Sequence, residues 1–94
     1  MPLYLLSYDA HFDRDYAALY ELMAVWNAER LHESLWLAER LGPAEVIRDF
    51  MIRALDGDDS VAVIELAAAA QWTNTRAQVG GTNWLRQHIP FRHG

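Results

Sequence analysis

The stretch LYLLSYD, residues 3–9, decides the fold because it reads as a strand with apolar residues on both faces. Its residues alternate between the two faces, with Leu3, Leu5 and Ser7 on one and Tyr4, Leu6 and Tyr8 on the other. A strand of this kind needs cover on both sides. It ends on Asp9, which places a fixed carboxylate at the rim of the sheet, where ligands and metal ions can reach it.

The composition indicates one domain and excludes several kinds of site. The chain has 94 residues, 52% of them hydrophobic, so we expect a single domain over residues 1–94, with its core in 1–67 and a C-terminal loop, short helix and tail in 68–94. There are no cysteines, which excludes disulfides, thiol catalysis and thiolate zinc sites. The eight basic residues are all arginine, and thirteen acidic residues bring the net charge to -5, which disfavours general affinity for nucleic acid.

The sequence also bears on location and assembly. It does not open with a signal-peptide pattern, and no apolar run approaches the roughly 20 residues of a membrane span, so we expect a cytoplasmic protein that does not enter membranes. A chain of this length buries only a modest fraction of its surface, and a second copy would cover more apolar area. We therefore expect an oligomer.

A helix and an extended segment follow the first strand. Asp13 is predicted to cap the helix, with Asp15 in its first turn, and apolar residues then recur at helical spacing as far as Trp26. Residues 30–39 read either as one strand or as a tight hairpin that turns near Ser34.

The second half of the chain repeats this alternation. Pro43 is predicted to begin a second amphipathic helix that closes at Asp56-Gly57. Residues 59–66, DSVAVIEL, read as a central strand because they are rich in branched side chains. The polar residues 71–81 are predicted to form a loop, and residues 82–89 a short helix capped by Thr82.

These elements predict a small sheet with two helices on one face. The strands that are apolar on both faces then require cover on the second face, since a large exposed apolar patch is uncommon on a monomer. Either a second copy of the chain or the C-terminal segment can provide that cover.

Three stretches together resemble a known family. LYLLSYD resembles the opening strand of the small CRISPR-associated spacer-acquisition subunit, the Cas-two family, which ends on tyrosine and aspartate. HESLWL, residues 32–37, resembles that family's second signature, and DSVAVIEL resembles its later strand. The likeness extends from residue 3 to about residue 66. It is closer to a SinR-like branch, whose members carry the SYD opening, a second signature of serine, threonine or leucine, tryptophan and leucine, and a tryptophan-containing tail.

The resemblance implies a fold, an assembly and a metal site. The fold would be an α+β, ferredoxin-like βαββαβ sandwich in which residues 30–39 form two antiparallel strands, and the assembly a homodimer with its sheets packed face to face. Asp9 matches the aspartates that face each other in the family's dimer and hold a divalent metal, here Mg or Mn, which can activate water against a phosphodiester. Ser34 matches the signature serine, and we assign it, with Tyr8 and Trp36, a structural or dimer-contact role.

The chain departs from the family at two places. His32 stands where the family has a glutamine, and it is the candidate general acid or base. The arginine-rich first helix of many members is replaced by an acidic start in which Arg14 is the one basic residue retained. Both departures weaken the case for a nuclease.

The C-terminal part offers two interpretations of its tryptophans. Trp72 and Trp84, with Arg76, can form a stacking surface for single-stranded nucleic acid. The favoured interpretation is that the tryptophans pack this segment onto the sheet.

Two functions follow from these observations. The favoured one is a non-catalytic structural or interaction subunit of a CRISPR, defence or toxin-like system, which works as a homodimer with a protein partner. The alternative is a metal-dependent endonuclease that cleaves RNA or DNA through Asp9 of each subunit, with Arg14 and Arg76 on the nucleic acid. Clustering of the eight arginines on one surface would favour nucleic acid, whereas scatter would favour a protein partner.

Overall fold

The computed structural model of the protein describes residues 1–9, 15–55, 59–67 and 69–90. Within these residues the fold is α+β, with four strands in one antiparallel sheet and three helices. In chain order the elements are β1 (Leu3–Tyr8), α1 (Ala17–Val25), β2 (Glu29–His32), β3 (Leu35–Glu39), α2 (Ala44–Ala54), β4 (Val61–Leu66) and α3 (Val79–His88).

The opening strand β1 lies inside the sheet, whose order is β2-β3-β1-β4. Leu5 of β1 is paired with Leu37 of β3 on one side and with Ile64 of β4 on the other. Because β1 and β2 both run antiparallel to β3, their C-terminal ends lie at the same end of the sheet. Asp9 therefore lies at the same end as the turn between β2 and β3.

One face of the sheet packs against α1 and α2. The even-numbered residues of β1 point to this face, as the alternation predicts. The buried residues of this cluster are Tyr4, Leu6, Tyr8, Leu19, Met23, Trp26, Ala38, Ile47, Met51 and Leu55. Each fully buried large apolar side chain contributes about 1.5–3 kcal/mol of transfer free energy. Because more residues are buried on this face than on the opposite one, this face supplies most of the core.

The other face is covered by the chain's own C-terminal segment. Helix α3 lies against β2 and β3, and its Trp84 and Leu85 are buried in a second cluster. That cluster also contains Leu3, Leu31, Leu37 and Ile89, with Leu5, Leu35, Leu66, Ala70, Trp72 and Ala77 partly buried around it. Trp72 and Trp84 thus pack against the sheet, which confirms the packing interpretation.

One hydrogen bond ties this segment to the sheet, and another joins two parts of the segment itself. The Gln78 N–H donates to the Leu31 carbonyl of β2 at 2.9 Å, and the Trp72 indole N–H donates to the Ile89 carbonyl after α3. The second face of β2 and β3 is therefore covered within one copy of the chain, whereas β4 is left partly open on that face.

The hairpin and the second helix agree with the predicted pattern. Residues 30–39 are two strands, with Ser34 in the turn between them. Pro43 is the N-cap of α2, and the predicted end of that helix at residues 56–57 lies outside the described residues. Within the helix, Ile47 is buried whereas its neighbour Val46 is exposed, so only one residue of that apolar pair reaches the core.

Helix α1 begins later than predicted. Its first residue is Ala17, so Asp15 lies before the helix rather than in its first turn. The Asp15 Oδ1 nevertheless accepts a hydrogen bond from the Ala17 N–H at 2.9 Å, and so satisfies one of the N–H groups that a helix start leaves free. The predicted cap, Asp13, lies outside the described residues.

Helix α3 begins earlier than predicted. Its first residue is Val79, so Thr82 lies within the helix, where its hydroxyl accepts a hydrogen bond from the Asn74 side chain at 3.2 Å. Gly81, which was predicted to lie in the loop of residues 71–81, is instead buried in the first turns of this helix. A Cβ at Gly81 would come within 2.6 Å of the Leu31 Cα, so the missing side chain is what lets α3 approach β2.

Strand β4 is an edge strand, and the predicted central position was wrong. Among the described residues it pairs only with β1. Its Val61 and Val63 pack toward α2, whereas Ile64 on the opposite face is 54% exposed. The branched residues that suggested a central strand are therefore covered by a helix on one face and are partly open on the other.

The described helices are nine to eleven residues long, and none of them is long and apolar enough to cross a bilayer.

Candidate functional site

The candidate site is the rim of the sheet around Asp9. The Tyr8 N–H donates to the Ser34 carbonyl of the β2–β3 turn at 3.2 Å, and the Asp9 N–H donates to the Ser60 carbonyl just before β4 at 3.2 Å. The rim therefore joins the end of β1 to the β2–β3 turn on one side and to the start of β4 on the other.

The main chain of Asp9 is held from two directions. Besides the bond to Ser60, the Asp9 carbonyl accepts a hydrogen bond from the Tyr16 hydroxyl at 3.1 Å. The residue itself is exposed, so its carboxylate is presented to solvent from a fixed backbone. This is the geometry that the strand-end aspartate predicted.

A chain of aromatic rings lies beside the rim and ends on an arginine. We define this aromatic–arginine cluster as Tyr8, Tyr16, Tyr20, Trp36 and Arg30. Successive ring centroids are 5.3 Å, 6.1 Å and 6.0 Å apart from Tyr8 through Tyr16 and Tyr20 to Trp36. The cluster packs the start of α1 against the sheet next to Asp9.

Arg30 is the member of the cluster that orders the β2–β3 turn. Its Nε and Nη2 donate to the Glu33 carbonyl at 3.0 Å and 2.6 Å, and Nη2 also donates to the Tyr20 hydroxyl at 2.9 Å. Its guanidinium lies 4.9 Å from the Tyr20 ring centroid and 5.1 Å from that of Trp36. The guanidinium is therefore engaged within the protein instead of facing a ligand.

Burial and hydrogen bonding shift two pKa values in this cluster. Burial raises the pKa of the Tyr8 phenol above its ordinary value, although the nearby Trp36 indole and Arg30 guanidinium oppose the shift. For Arg30, burial lowers the pKa, but its hydrogen bond with the Tyr20 phenol and the nearby Tyr8 hydroxyl raise it by more. Both side chains keep their ordinary protonation states near neutral pH, which does not suit Tyr8 to act as a nucleophile or base.

The three residues assigned a structural or dimer-contact role all lie at this rim. Tyr8 is buried, and its hydroxyl points to the Glu33 carbonyl at 3.4 Å. Ser34 sits in the turn, and Trp36 stacks within the aromatic–arginine cluster. The Trp36 indole N–H is buried and falls short of hydrogen-bond geometry with any acceptor. Their contacts within this copy account for structural roles.

The candidate catalytic residues do not form a catalytic pair. His32 is exposed at the end of β2, where it pairs with Leu35. No hydrogen bond or ion pair connects it to Asp9, and both residues lie in the described part of the chain. Over residues 1–9, 15–55, 59–67 and 69–90, no three His, Asp or Glu side chains come together in a group that could hold a metal ion. Within these described residues Asp9 belongs to no such group, so a Mg or Mn site at Asp9 would need ligands from outside them.

The candidate nucleic-acid residues are not brought together. Arg14 lies outside the described residues, and Arg76 is exposed in the segment that precedes α3. Among the other described arginines, Arg48 and Arg53 lie on α2, whereas Arg86 lies on α3 across the sheet. The described arginines are thus scattered over opposite sides of the molecule and do not form a phosphate-binding surface.

Sequence reasoning missed the cluster residues Tyr20 and Arg30. Tyr20 is one of the apolar residues that recur at helical spacing as far as Trp26, a pattern typical of core residues, yet it is 39% exposed and stacks beside the sheet. The available signal was the helical spacing of Tyr16 and Tyr20, which puts both rings on one face of α1. Nothing in the local sequence indicated that Arg30 lies over those rings.

Comparisons of the chain with protein-family models, with curated proteins and with solved structures found no match. The likeness to the Cas-two family therefore rests on the three stretches of sequence themselves.

Proposed function

We propose that the chain is a non-catalytic interaction subunit that works as a homodimer in the cytoplasm and serves a CRISPR, defence or toxin-like system. In this proposal its fold is ferredoxin-like and its relatives are the SinR-like branch of the Cas-two superfamily. The succession βαββαβ before α3 and the sheet order β2-β3-β1-β4 support this fold assignment. The three sequence stretches support the relationship.

The observation that carries the proposal is the open edge of the sheet. Strand β4 pairs with β1 on one side, and its other side meets no strand among the described residues. On the face shared with α3, this strand carries the exposed apolar residues Ala62 and Ile64, which we call the open strip. Helix α3 covers the β2–β3 half of that face and leaves this strip accessible. An exposed apolar edge strand is a surface that proteins normally cover or pair.

A second copy is the occupant that fits this edge. In an antiparallel pair of β4 strands centred on Ile64, that residue meets its own copy and Ala62 meets Leu66 of the partner subunit, all on the face of the open strip. Glu65 then faces Val63 of the partner subunit, so the two Glu65 carboxylates do not oppose each other. On the face of the open strip the edge is therefore apolar and self-complementary.

The distribution of charge supports a protein partner over nucleic acid. The net charge is -5, and the described arginines lie on opposite sides of the sheet. Arg30 and Arg40 are stacked on aromatic rings of the chain itself, and Arg48 is paired with Asp49 at 3.0 Å. Few arginines are left to bind phosphates as a group.

The oligomeric state of an edge variant tests the proposal. Ile64→Glu places two carboxylates opposite each other at the centre of the paired strands, so we expect a monomer where the unmodified chain is a dimer. Val46→Glu is the matched control, because Val46 is also exposed, at 43%, but lies on α2. Light scattering coupled to size exclusion measures both. A monomeric unmodified chain, or a dimer that survives Ile64→Glu, would contradict the proposal.

The second candidate function is a metal-dependent endonuclease, favoured by the exposed carboxylate of Asp9 on its fixed backbone. It requires a different dimer. In the β4-paired dimer the Asp9 residues lie next to Ser60 at opposite ends, roughly 25 Å apart along the strands. Two carboxylates that share a metal must lie within a few ångströms of it, so catalysis needs the sheets face to face.

Cleavage assays test this candidate. RNA and double-stranded DNA are incubated with the protein and Mn²⁺ or Mg²⁺, and Asp9→Asn and His32→Ala are compared with Asp49→Asn, which alters an exposed carboxylate on α2. The nuclease would be established if Asp9→Asn abolished metal-dependent cleavage, with or without a similar loss in His32→Ala, while Asp49→Asn kept it. Cleavage that survives Asp9→Asn would eliminate the site.

A further inference from the structure

We propose that a cavity at the end of the sheet opposite Asp9 binds an apolar segment of a partner polypeptide that carries a basic side chain. This inference deepens and rests on the proposed interaction function, because it states the chemistry of the partner. The side chain would enter between Glu29 and Glu39, and its apolar neighbours would pack on the rim of the cavity.

The cavity has a volume of about 460 Å³, a size that admits one large side chain with part of its backbone. It lies where α1 ends, β2 begins, β3 ends and α3 passes. From α1 and the strands it is lined by Met1, Val25, Trp26, Asn27, Glu29, Glu39 and Arg40, and from α3 by Gly80, Asn83, Trp84, Gln87 and His88.

Two carboxylates make the α3 side of the cavity acidic. Glu29 pairs with Leu37 across the hairpin, and Glu39 follows two residues later, so both lie on the sheet face that α3 covers. Glu39 has His88 Nε2 at 3.7 Å, whereas Glu29 makes no hydrogen bond or ion pair within the described chain. The Glu29 carboxylate lies against Gly80, whose lack of a side chain leaves it room. An unpaired carboxylate at the mouth of a cavity favours a cationic group.

The positive charge of Arg40 is held on the other side of the cavity. Its guanidinium lies 4.9 Å from the ring centroid of Trp26, in the cluster between the sheet and α1. Its Nε is buried without an acceptor. Arg40 follows Glu39 directly and therefore points to the opposite face of β3. Glu39 and Arg40 therefore enter the cavity lining from opposite faces of β3.

Exposed apolar side chains line this cavity or lie next in sequence to its lining residues. Met1, Val25, Leu41 and Val79 are 68–74% exposed, more than any other large apolar residue in the described chain. Met1 and Val25 line the cavity, while Leu41 follows Arg40 and Val79 precedes Gly80. A polar cavity with an apolar rim is the arrangement of a polypeptide-binding site, in which the rim excludes water from a central charged contact.

The same charges disfavour other ligands. Two carboxylates repel a phosphate or nucleotide, and the described residues contain no group of three His, Asp or Glu side chains for a metal ion. A free amino acid would use the carboxylates but would leave the apolar rim uncovered.

Three synthetic peptides test the inference by isothermal titration calorimetry. They share the sequence acetyl-Ala-Leu-X-Leu-Ala-amide, with X as arginine, glutamine or glutamate. We expect the arginine peptide to bind about tenfold more tightly than the glutamine peptide and the glutamate peptide not to bind, because a charge-assisted hydrogen bond is worth roughly one decade in affinity or more. Shifts of the Trp26 and Trp84 indole N–H signals in NMR spectra place the peptide in the cavity.

Matched variants assign the contacts. Glu29→Gln should remove the preference for arginine over glutamine, whereas Glu33→Gln, at the opposite end of the sheet, should keep it. Val79→Ser should weaken binding of both peptides by about threefold, and the exposed Val46→Ser should not. Both test residues are exposed, so their substitution leaves the core intact.

The outcomes separate this inference from the homodimer. The Ile64→Glu variant alters the opposite edge of the sheet and should bind the arginine peptide as the unmodified chain does. Equal binding of all three peptides, no binding of any, an unchanged preference in Glu29→Gln, or binding of free L-arginine as tight as that of the arginine peptide would each overturn the inference, whatever the oligomeric state.

Discussion

Gly81 of α3 lies so close to Leu31 of β2 that a Cβ at the glycine would come within 2.6 Å of the Leu31 Cα. The Arg30 carbonyl lies at the same distance from that position. These are main-chain atoms of a paired strand, which cannot move aside as the end of a flexible side chain can. The close approach is what allows α3 to bury Trp84 and Leu85 on the second face of the sheet.

Gly81→Ala should therefore destabilise the protein. We expect a loss of about 1–3 kcal/mol in the free energy of unfolding, because the added methyl must push α3 away from β2. Urea denaturation followed by tryptophan fluorescence measures this change. Gly80→Ala is the control, because a Cβ there meets only the Glu29 carboxylate, which can rotate away. Alanine is the better helix former, so Gly80→Ala should be neutral or stabilising by up to about 1 kcal/mol. Equal destabilisation by both variants would contradict the close approach as the cause.

Arg30 should contribute to stability through the β2–β3 turn. Arg30→Met keeps the bulk of the side chain but removes the donors to the Glu33 carbonyl and the Tyr20 hydroxyl, together with the stacking on Trp36. We expect a loss of about 1–3 kcal/mol, since these are hydrogen bonds from a charged group. Arg30→Lys should recover little of it, because an ammonium cannot reproduce the planar fork.

The control for this prediction is Arg53→Met. The Arg53 guanidinium lies 5.4 Å from the Phe50 ring centroid on the exposed side of α2 and makes no hydrogen bond in the described chain. Its removal should cost at most about 0.5–1 kcal/mol. Thermal unfolding of the four proteins in parallel gives the comparison, and a larger loss in Arg53→Met than in Arg30→Met would show that the turn contacts are unimportant.

Asp15 should stabilise the start of α1 although it precedes the helix. Asp15→Ala removes the acceptor for the Ala17 N–H, and we expect it to cost about 0.5–2 kcal/mol. Asp15→Asn keeps an acceptor at that position and should retain most of the stability. Asp49→Ala serves as the control, because it breaks only the exposed pair with Arg48 and should change stability by less than about 0.5 kcal/mol. If Asp15→Asn were as damaging as Asp15→Ala, charge instead of capping would be the cause.

The sequence predicted the parts of the fold that depend on local pattern. Alternation identified the two faces of β1, and the length of residues 30–39 allowed a hairpin that turns near Ser34. The position of β4 was missed, because alternation reports which faces are covered and not which strands are neighbours. The start of α3 was missed because glycine is a poor helix former. Only the folded structure shows that Gly81 packs against the backbone of β2, where a side chain would not fit.

The candidate sites also differ in whether the local sequence could predict them. Asp9 was predicted from its place at the end of a strand, which is a local property. The aromatic–arginine cluster depends on contacts between residues ten or more positions apart, such as Arg30 with Tyr20. The cavity around Glu29 and Arg40 depends on four elements that meet only in the folded chain. No single stretch of sequence carries a signal for either one.

The buried phenol of Tyr8 should make stability depend on pH in alkaline solution. Burial raises the pKa of Tyr8 in the folded protein above the unfolded value of about 10. The folded state then holds this proton more tightly than the unfolded state does. The contribution of Tyr8 is therefore constant below about pH 10 and is lost as the pH rises toward the folded pKa.

Tyr8→Phe isolates this effect, because it removes the titrating group and only a long hydrogen bond to the Glu33 carbonyl. Urea denaturation at intervals from about pH 8 to pH 11 should show a steeper fall in the free energy of unfolding for the unmodified chain than for Tyr8→Phe, by up to about 1.4 kcal/mol per pH unit above pH 10. The Tyr8 Cζ chemical shift in NMR spectra should titrate above pH 10 over the same range. Parallel stability curves for the two proteins would mean that the Tyr8 hydroxyl is solvated in the folded state, and that the aromatic–arginine cluster is looser at the Asp9 rim than its ring distances indicate.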